Sequence, residues 1–204
     1  MLRIDLLRHG ETTLGHTLRG STDDALTKLG WSQMQQTVKQ SINQSLNYPL
    51  NWDVIFSSPL KRCRLFAEYI ATQHQLPLLS AASLQEMHFG DWEATPTEEI
   101  YNQHPELLAN FWQYPTQFTP PNAESMLEFQ SRVLAGLAHI QTTMRENGWQ
   151  HALIMTHGGV IKLLKCLALK QPLDDVLKMS AQLGQLNSFT LHPDGSIQLL
   201  EHQQ

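Results

Sequence analysis

The sequence predicts an α/β fold, a three-layer sandwich in which helices cover both faces of a mostly parallel sheet with an antiparallel edge. Strand-like and helix-like segments alternate along the 204 residues, which is typical of parallel strands joined by helices. The segment 152–156 is apolar enough to be buried on both faces, as central strands of parallel sheets are. Near the end of the chain, Asp194-Gly195 separates two apolar runs, and this predicts a hairpin at the sheet edge.

The first half of the chain supplies two strands and two helices. Strands are predicted over 3–8 and 52–56, and a stretch of helical period runs between them over 27–46. A second helix begins at the pair Ser58-Pro59, which suits the N-cap and the first helical position, and extends to about His74. The inward-facing positions predicted for the first helix are Leu26, Leu29, Met34 and Val38.

The second half completes the sheet and its cover. Helices are predicted over 124–145 and 160–168, and hairpin strands over 188–191 and 197–200. The stretch 88–121 differs from the rest because prolines and aromatic residues break it into short pieces. Two interpretations of this stretch stay open. It is either a cap inserted over one end of the sheet, within a single domain spanning 1–204, or a satellite cluster under a long loop.

Composition excludes several classes of protein. With 41% hydrophobic and 16% charged residues, the chain is neither disordered nor collagen-like. A net charge of −5 argues against nucleic acid or an anionic membrane as the main partner. The chain start does not have a signal-peptide pattern, and no run of about 18 apolar residues occurs, so we expect a cytoplasmic protein. Cys63 and Cys166 lie far apart and are expected to be reduced thiols.

Residues with catalytic chemistry follow three predicted strands. Arg8-His9 ends the first, Ser57-Ser58 ends the second and leads to Arg62, and 157–159 (His-Gly-Gly) ends the strand at 152–156. In open α/β sheets, ligands bind beyond the carboxyl ends of the strands, so we expect these segments to meet at one site.

This set of side chains suits a phosphate ester. Arginine binds phosphate oxygens through paired, charge-assisted hydrogen bonds, and a helix that begins after Gly158-Gly159 offers free N–H groups. Arg62 falls in the first turn of a predicted helix, where the dipole disfavours a cation unless an anion is bound nearby. A neutral imidazole such as that of His9 has a lone pair that can attack phosphorus.

Each feature alone has a simpler explanation. A single arginine at a helix start is usually a solvated surface residue, and a single histidine after a strand is usually structural. Other enzyme classes fit poorly. No G-x-S-x-G elbow of a serine hydrolase, no P-loop lysine and no metal-binding H-E-x-x-H or Cys-His spacing occurs. The phosphate interpretation depends on three such features falling at three strand ends.

Four segments resemble the motifs of the histidine phosphatase superfamily, the phosphoglycerate mutase-like group, in the family's order. They are 7–12 (Leu-Arg-His-Gly-Glu-Thr), 57–63 (Ser-Ser-Pro-Leu-Lys-Arg-Cys), 84–93 (Leu-Gln-Glu-Met-His-Phe-Gly-Asp-Trp-Glu) and 156–160 (Thr-His-Gly-Gly-Val). The resemblance spans nearly the whole chain.

The resemblance implies a role for each matching residue. His9 matches the nucleophile that becomes phosphohistidine, and Glu86 matches the acid that protonates the leaving oxygen. Arg8 and Arg62 match phosphate-binding residues, and His157 matches the second catalytic histidine beside the phosphoryl group. The implied enzyme is a phosphomonoester hydrolase of the histidine acid phosphatase type. It needs neither metal nor cofactor, and its partner is a small phosphorylated metabolite.

Finer details of the sequence bear on the substrate. Gly15 occupies the position where many members have an asparagine that the mutase branch uses on phosphate, and this departure disfavours a mutase. The segments 20–24, 58–63 and 89–93 resemble α-ribazole phosphatases of cobalamin biosynthesis, as does 120–125, where Asn122-Ala123 replaces two glycines. The resemblance thus favours α-ribazole 5′-phosphate. A phosphatase for another small phosphorylated metabolite, a phosphoglycerate mutase-type transferase and an inactive phospholigand-binding relative are the alternatives.

Overall fold

A computed structural model describes residues 1–15, 17–44 and 52–200 of the chain. Its strands are β1 (Leu2–Arg8), β2 (Thr17–Leu18), β3 (Val54–Ser57), β4 (Leu78–Ser80), β5 (Thr95–Pro96), β6 (His151–Thr156), β7 (Leu186–Leu191) and β8 (Ile197–Leu200). Its α-helices are α1 (Lys28–Gln44), α2 (Lys61–His74), α3 (Thr97–Gln103), α4 (Pro105–Gln113), α5 (Met126–Glu146) and α6 (Gly158–Ala168). The end predicted for the first helix, at Leu46, lies outside the described residues.

The predicted fold class is confirmed. The main sheet has the order β4-β3-β6-β1-β7-β8. Parallel pairing joins β4, β3, β6 and β1, and antiparallel pairing adds the edge of β7 and β8. The edge is the hairpin that Asp194-Gly195 predicts. No helix among the described residues is long and apolar enough to cross a membrane.

Alternate residues of the strands face two separate cores. On one face, Ile4 and Leu6 of β1 pack in a large cluster with residues of α5 and α6. On the other, Leu7 packs in a smaller cluster with residues of α1 and α2, such as Met34 and Phe66. This alternation of neighbouring side chains across a strand gives the predicted three layers.

Two predicted details of the helices are wrong. Leu29 is 55% exposed, because the inward stripe of α1 contains Gly30, Met34 and Val38 at four-residue spacing. Helix α2 begins at Lys61, with Leu60 at the N-cap and no side-chain cap. Ser58 lies before the helix start, where its Oγ accepts from Leu60 N at 3.4 Å and also contacts a histidine of the candidate site.

The stretch 88–121 folds into short elements that join the larger core. It contains the 3₁₀ turn Gly90–Trp92, β5, α3 and α4, and its strand β5 pairs with β2. Trp92, Ile100, Leu108 and Phe111 are buried in the same cluster as the apolar face of the sheet. The stretch thereby packs continuously with the main core, next to the loop that follows β1.

Candidate active site

The carboxyl ends of three neighbouring strands form the candidate site. Strand β6 lies between β1 and β3, and Arg8 at the end of β1 stands opposite Thr156 at the end of β6. His157 consequently has His9 on one side and Ser58 on the other. The rings of His9 and His157 lie edge to face, with centroids 5.3 Å apart.

All five predicted site residues lie at this end of the sheet, in two layers. Arg8, His9 and Glu86 line a cavity. Arg62 and His157 have no exposed surface and do not line it, so they form a buried layer that touches the cavity through its neighbours. A role for them in direct contact with a ligand stays a prediction.

His9 is held as a neutral ring with one free nitrogen. Its Nδ1 lies 2.8 Å from the carbonyl oxygen of Gly10. Because a carbonyl only accepts, Nδ1 carries the proton and Nε2 keeps its lone pair. Burial lowers the pKa of His9 well below 6.5, and the positive charges of Arg62 and Arg8 lower it further, against the opposing effect of the bond to Gly10.

Arg62 is fixed by protein acceptors. Its Nη1 donates to Thr22 O and to Asp24 Oδ1, the latter at 3.0 Å, and its Nη2 donates to Gly20 O at 2.8 Å. Its Nε donates to His157 Nδ1 at 3.3 Å. Asp24 is itself buried. Its carboxylate therefore supplies part of the negative charge that was predicted near Arg62 at the start of α2.

His157 has a defined tautomer that follows from its neighbours. Since Arg62 Nε can only donate, His157 Nδ1 is unprotonated, and its Nε2–H donates to Ser58 Oγ at 2.8 Å. Burial lowers the pKa of His157 well below 6.5, and the neighbouring Arg62 and His9 lower it further. Ser58 is a site residue that the sequence analysis assigned to a helix cap.

Glu86 reaches the site from the loop after the 3₁₀ turn Ala82–Leu84. Its Oε2 accepts from Gly159 N at 2.9 Å, and its Oε1 accepts from Met87 N at 3.1 Å. The first turn of α6 was predicted to bind phosphate, but one of its N–H groups holds this carboxylate. A Cβ at Gly159 would lie 2.2 Å from Glu86 Oε1, so only glycine leaves room for the acid.

Arg8 faces the cavity with an unused donor. Its Nη1 donates to Ala181 O, while its buried Nε has no hydrogen-bond partner among the described residues. The guanidinium lies against Gly158, where a Cβ would be 3.0 Å from Arg8 Cζ. A buried donor without a partner is costly, which marks Arg8 as a residue whose hydrogen bonding is incomplete.

The sequence analysis missed Arg19, a further cation on the cavity wall. Arg19 Nη1 donates to Gly15 O at 2.7 Å and to Thr17 Oγ1 at 3.1 Å, and its Nε lies 3.4 Å from Asp24 Oδ2. Asp24 thus orients both Arg19 and Arg62. Its position in the sequence could have identified it as a candidate, because Arg19 directly precedes the motif-like segment 20–24.

The rest of the cavity wall is largely apolar and aromatic. Lys162 is the cation there, and its Nζ donates to Leu177 O at 3.2 Å. Burial lowers the pKa of Lys162, and the charge of Arg8 adds to this effect. No group of three His, Cys, Asp or Glu side chains in the described part of the chain is placed to hold a metal ion. The apolar wall comprises Leu18, Met87, Phe89, Trp112, Met126, Phe129, Val176 and Leu177.

A model of the histidine phosphatase superfamily (branch 1) matches residues 4–203. The chain belongs to this family. It is 31% identical over 166 residues to the uncharacterized phosphatase PhoE of Bacillus subtilis (80% of this chain, 76% of PhoE). It is 28% identical over 168 residues to the adenosylcobalamin/alpha-ribazole phosphatase of Escherichia coli (80% of this chain, 77% of that protein).

The comparisons also include a mutase and a solved structure. A 2,3-bisphosphoglycerate-dependent phosphoglycerate mutase of Bartonella tribocorum is 25% identical over 198 residues, covering 94% of this chain and 93% of that protein. The structure of Bacillus stearothermophilus YhfR superposes with a TM-score of 0.82 at 25% identity, covering 97% and 94% of the two chains. The resemblance to the histidine phosphatase superfamily is confirmed, and the family contains both hydrolases and phosphoryl transferases.

Proposed function

We propose that this histidine phosphatase superfamily member hydrolyses a phosphomonoester through a phosphohistidine on His9, without a metal ion. The observation that carries the proposal is the state of His9, a neutral buried ring whose Nε2 lone pair is free. Arginines Arg8, Arg19 and Arg62 supply the positive charge near it that a phosphoryl group needs. Stabilising the charge of a loose transition state is the main part of phosphoryl-transfer catalysis.

In the first step, the lone pair of His9 Nε2 forms a bond to phosphorus as the bond from phosphorus to the ester oxygen breaks. Glu86, protonated in the enzyme–substrate complex, gives its proton to that oxygen, and the leaving group departs as a neutral alcohol. The guanidinium of Arg8, which lines the cavity, would bind a phosphoryl oxygen. His157 and Arg62 lie behind His9 and hold its ring and its neutral state.

In the second step, Glu86 is a carboxylate and takes a proton from water. The water oxygen bonds to phosphorus, the bond between phosphorus and Nε2 breaks, and inorganic phosphate leaves as the lone pair of His9 is restored. The same carboxyl group therefore serves as acid and then as base. Attack by a second hydroxyl in place of water would make the chain a mutase-type transferase.

For the substrate, we propose α-ribazole 5′-phosphate, which would place the enzyme in cobalamin biosynthesis. The apolar wall suits a leaving group with a flat, uncharged ring system, and the E. coli relative is named as an adenosylcobalamin/alpha-ribazole phosphatase. Phe89 and Trp112, both from 88–121, form part of that wall. This placement supports the interpretation of 88–121 as a cap within a single domain.

The test is an assay of 4-nitrophenyl phosphate with and without chelator, repeated for His9→Ala. We expect turnover that chelation leaves unchanged and His9→Ala abolishes, with an acid-labile phosphate trapped on the wild-type protein alone. His74→Ala, at an exposed histidine in the last turn of α2, is the control. Loss of turnover on chelation, or survival of activity in His9→Ala, contradicts the mechanism. Phosphate binding without turnover would favour the inactive relative.

A substrate panel then tests the leaving group. We expect kcat/KM for α-ribazole 5′-phosphate to exceed the values for phosphoserine and 3-phosphoglycerate, because neither of those fills the apolar wall. Equal or reversed preference contradicts the substrate proposal while leaving the hydrolase intact. Exchange of phosphate between phosphoglycerates faster than its release to water would identify a mutase instead.

A further inference from the structure

One arginine outside the cavity donates hydrogen bonds to several backbone carbonyls of the loop that carries Glu86. Arg132 of α5 donates through Nη1 to Ser83 O at 2.8 Å and to Gln85 O at 3.1 Å. Its Nη2 donates to the carbonyl of Glu86 itself at 3.2 Å. Three carbonyls within four residues thus share one guanidinium, and the last belongs to the residue proposed as the acid.

Glu124 completes a clamp with Arg132. Its Oε1 accepts from Arg132 Nε and its Oε2 from Arg132 Nη2, both at 2.7 Å, which is the paired geometry of a strong arginine–carboxylate contact. Glu124 also binds the loop beyond the acid, because His88 N donates to its Oε2 at 3.3 Å and its own N–H donates to His88 O at 3.0 Å. The loop is thereby held on both sides of Glu86.

The surroundings of the clamp are tightly packed. Arg132 Cζ lies 5.2 Å from the ring centroid of Phe129, which lines the cavity. One turn further along α5, a Cβ at Gly136 would lie 2.1 Å from Ser83 Oγ, so glycine allows the helix to approach the loop. The side chains of Arg132 and Glu124 are only 28% and 15% exposed.

We propose that Arg132, paired with Glu124, is a positioning residue that holds Glu86 at the distance needed for proton transfer. This inference rests on the proposed function, in which Glu86 is the acid. Arg132 does not line the cavity around His9, so it acts through the loop and not on the substrate. A proton donor has to lie within hydrogen-bond reach of the leaving oxygen, and a displacement of about 1 Å costs about 100-fold in rate.

Substrates whose leaving groups differ in basicity distinguish a displaced acid from a general loss of active-site structure. A nitrophenolate leaves without a proton, whereas a phenolate or alkoxide needs one, so only the poor leaving groups depend on Glu86. We expect Arg132→Met to lower kcat/KM for phenyl phosphate by about 10- to 100-fold and that for 4-nitrophenyl phosphate by less than about threefold. Glu86→Gln should give the same pattern with a larger amplitude, and Arg132→Lys should recover part of the loss.

Two further variants keep the test decisive. Glu124→Gln removes the ion pair while keeping an acceptor, so it reports on the clamp even where Arg132→Met folds poorly. Arg145→Met changes an exposed arginine near the end of the same helix and should leave both substrates unaffected.

The outcomes separate the inference from the function on which it rests. Equal losses for both substrates in Arg132→Met and Glu124→Gln, with the expected pattern in Glu86→Gln, overturn the clamp alone. No dependence on the leaving group in Glu86→Gln overturns the acid assignment and with it the clamp. Activity that survives His9→Ala overturns the proposed function.

Discussion

Asp5 lies in the middle of β1, and its side chain has no exposed surface. Its Oδ2 accepts from Trp52 Nε1 at 3.0 Å and from His151 Nε2 at 2.7 Å. Its Oδ1 accepts from Ser188 Oγ at 2.6 Å and from Arg3 Nε at 3.1 Å. We predict that Asp5→Asn lowers the free energy of unfolding at pH 6, because an amide is uncharged and places an N–H donor where a carboxylate oxygen now accepts.

The pH dependence of that loss follows from the pKa of Asp5. Burial raises this pKa, but the hydrogen bond and charge of His151, followed by Ser188 and Arg3, lower it from 3.8 to about 2. A lowered carboxyl pKa stabilises the fold above pH 3.8, and this stabilisation disappears as the pH falls toward 2. A pKa difference of about 1.8 (3.8 minus 2) at 1.36 kcal/mol for each pKa unit gives about 2 kcal/mol lost by pH 2.

Urea unfolding followed by tryptophan fluorescence at pH 6 and pH 2 measures this contribution. Other carboxylates titrate in both proteins, so the difference between wild type and Asp5→Asn isolates Asp5. That difference should shrink by about 2 kcal/mol between the two pH values. Glu98→Gln, at an exposed carboxylate of α3, should show no such change. If the difference in free energy of unfolding between wild type and Asp5→Asn is constant with pH, the stabilisation does not come from the Asp5 charge.

Three further predictions concern the site. Gly159→Ala should lower kcat/KM for phenyl phosphate by about 10-fold or more, since a Cβ there displaces Glu86; an unchanged value contradicts the proposed acid geometry. Arg19→Met should weaken inhibition by inorganic phosphate about tenfold, a loss of about 1.4 kcal/mol, whereas unaltered inhibition places Arg19 outside the phosphate site. In ¹⁵N spectra at pH 6.5, His9 and His157 should both be neutral, because burial and nearby arginines lower each pKa; a half-protonated ring would contradict this.

The sequence predicts those parts of the fold that local pattern determines. An apolar run such as 152–156 and the Asp194-Gly195 turn mark their strands whatever surrounds them. Ser58 is different, because its hydroxyl also bonds a residue 99 positions away, which no local pattern indicates. Leu29 is similar, since its exposure depends on which face of α1 meets the sheet. Pairing of β2 with β5 likewise joins two-residue strands that are too short to have a recognisable pattern.

The candidate site shows the same division. His9 and His157 stand directly after predicted strands, so their convergence follows from the topology of a parallel sheet. Arg19 and Arg132 follow no predicted strand. Arg19 contacts residues near it in the chain, Gly15, Thr17 and Asp24, but its place on the cavity wall depends on the tertiary structure. The contacts of Arg132 with the Glu86 loop join residues 46 to 49 positions apart, and no local spacing rule encodes them.

The charges around His9 provide a physical reason for this arrangement. Arg8, Arg19 and Arg62 contribute three positive charges, Asp24 removes one, and Lys162 is a further cation on the cavity wall. This surplus of positive charge favours the binding of a phosphomonoester dianion. In the mechanism proposed above, the leaving group takes the proton of Glu86 and departs uncharged. Transfer to His9 would then leave a carboxylate beside the phosphohistidine, ready to accept a proton from water.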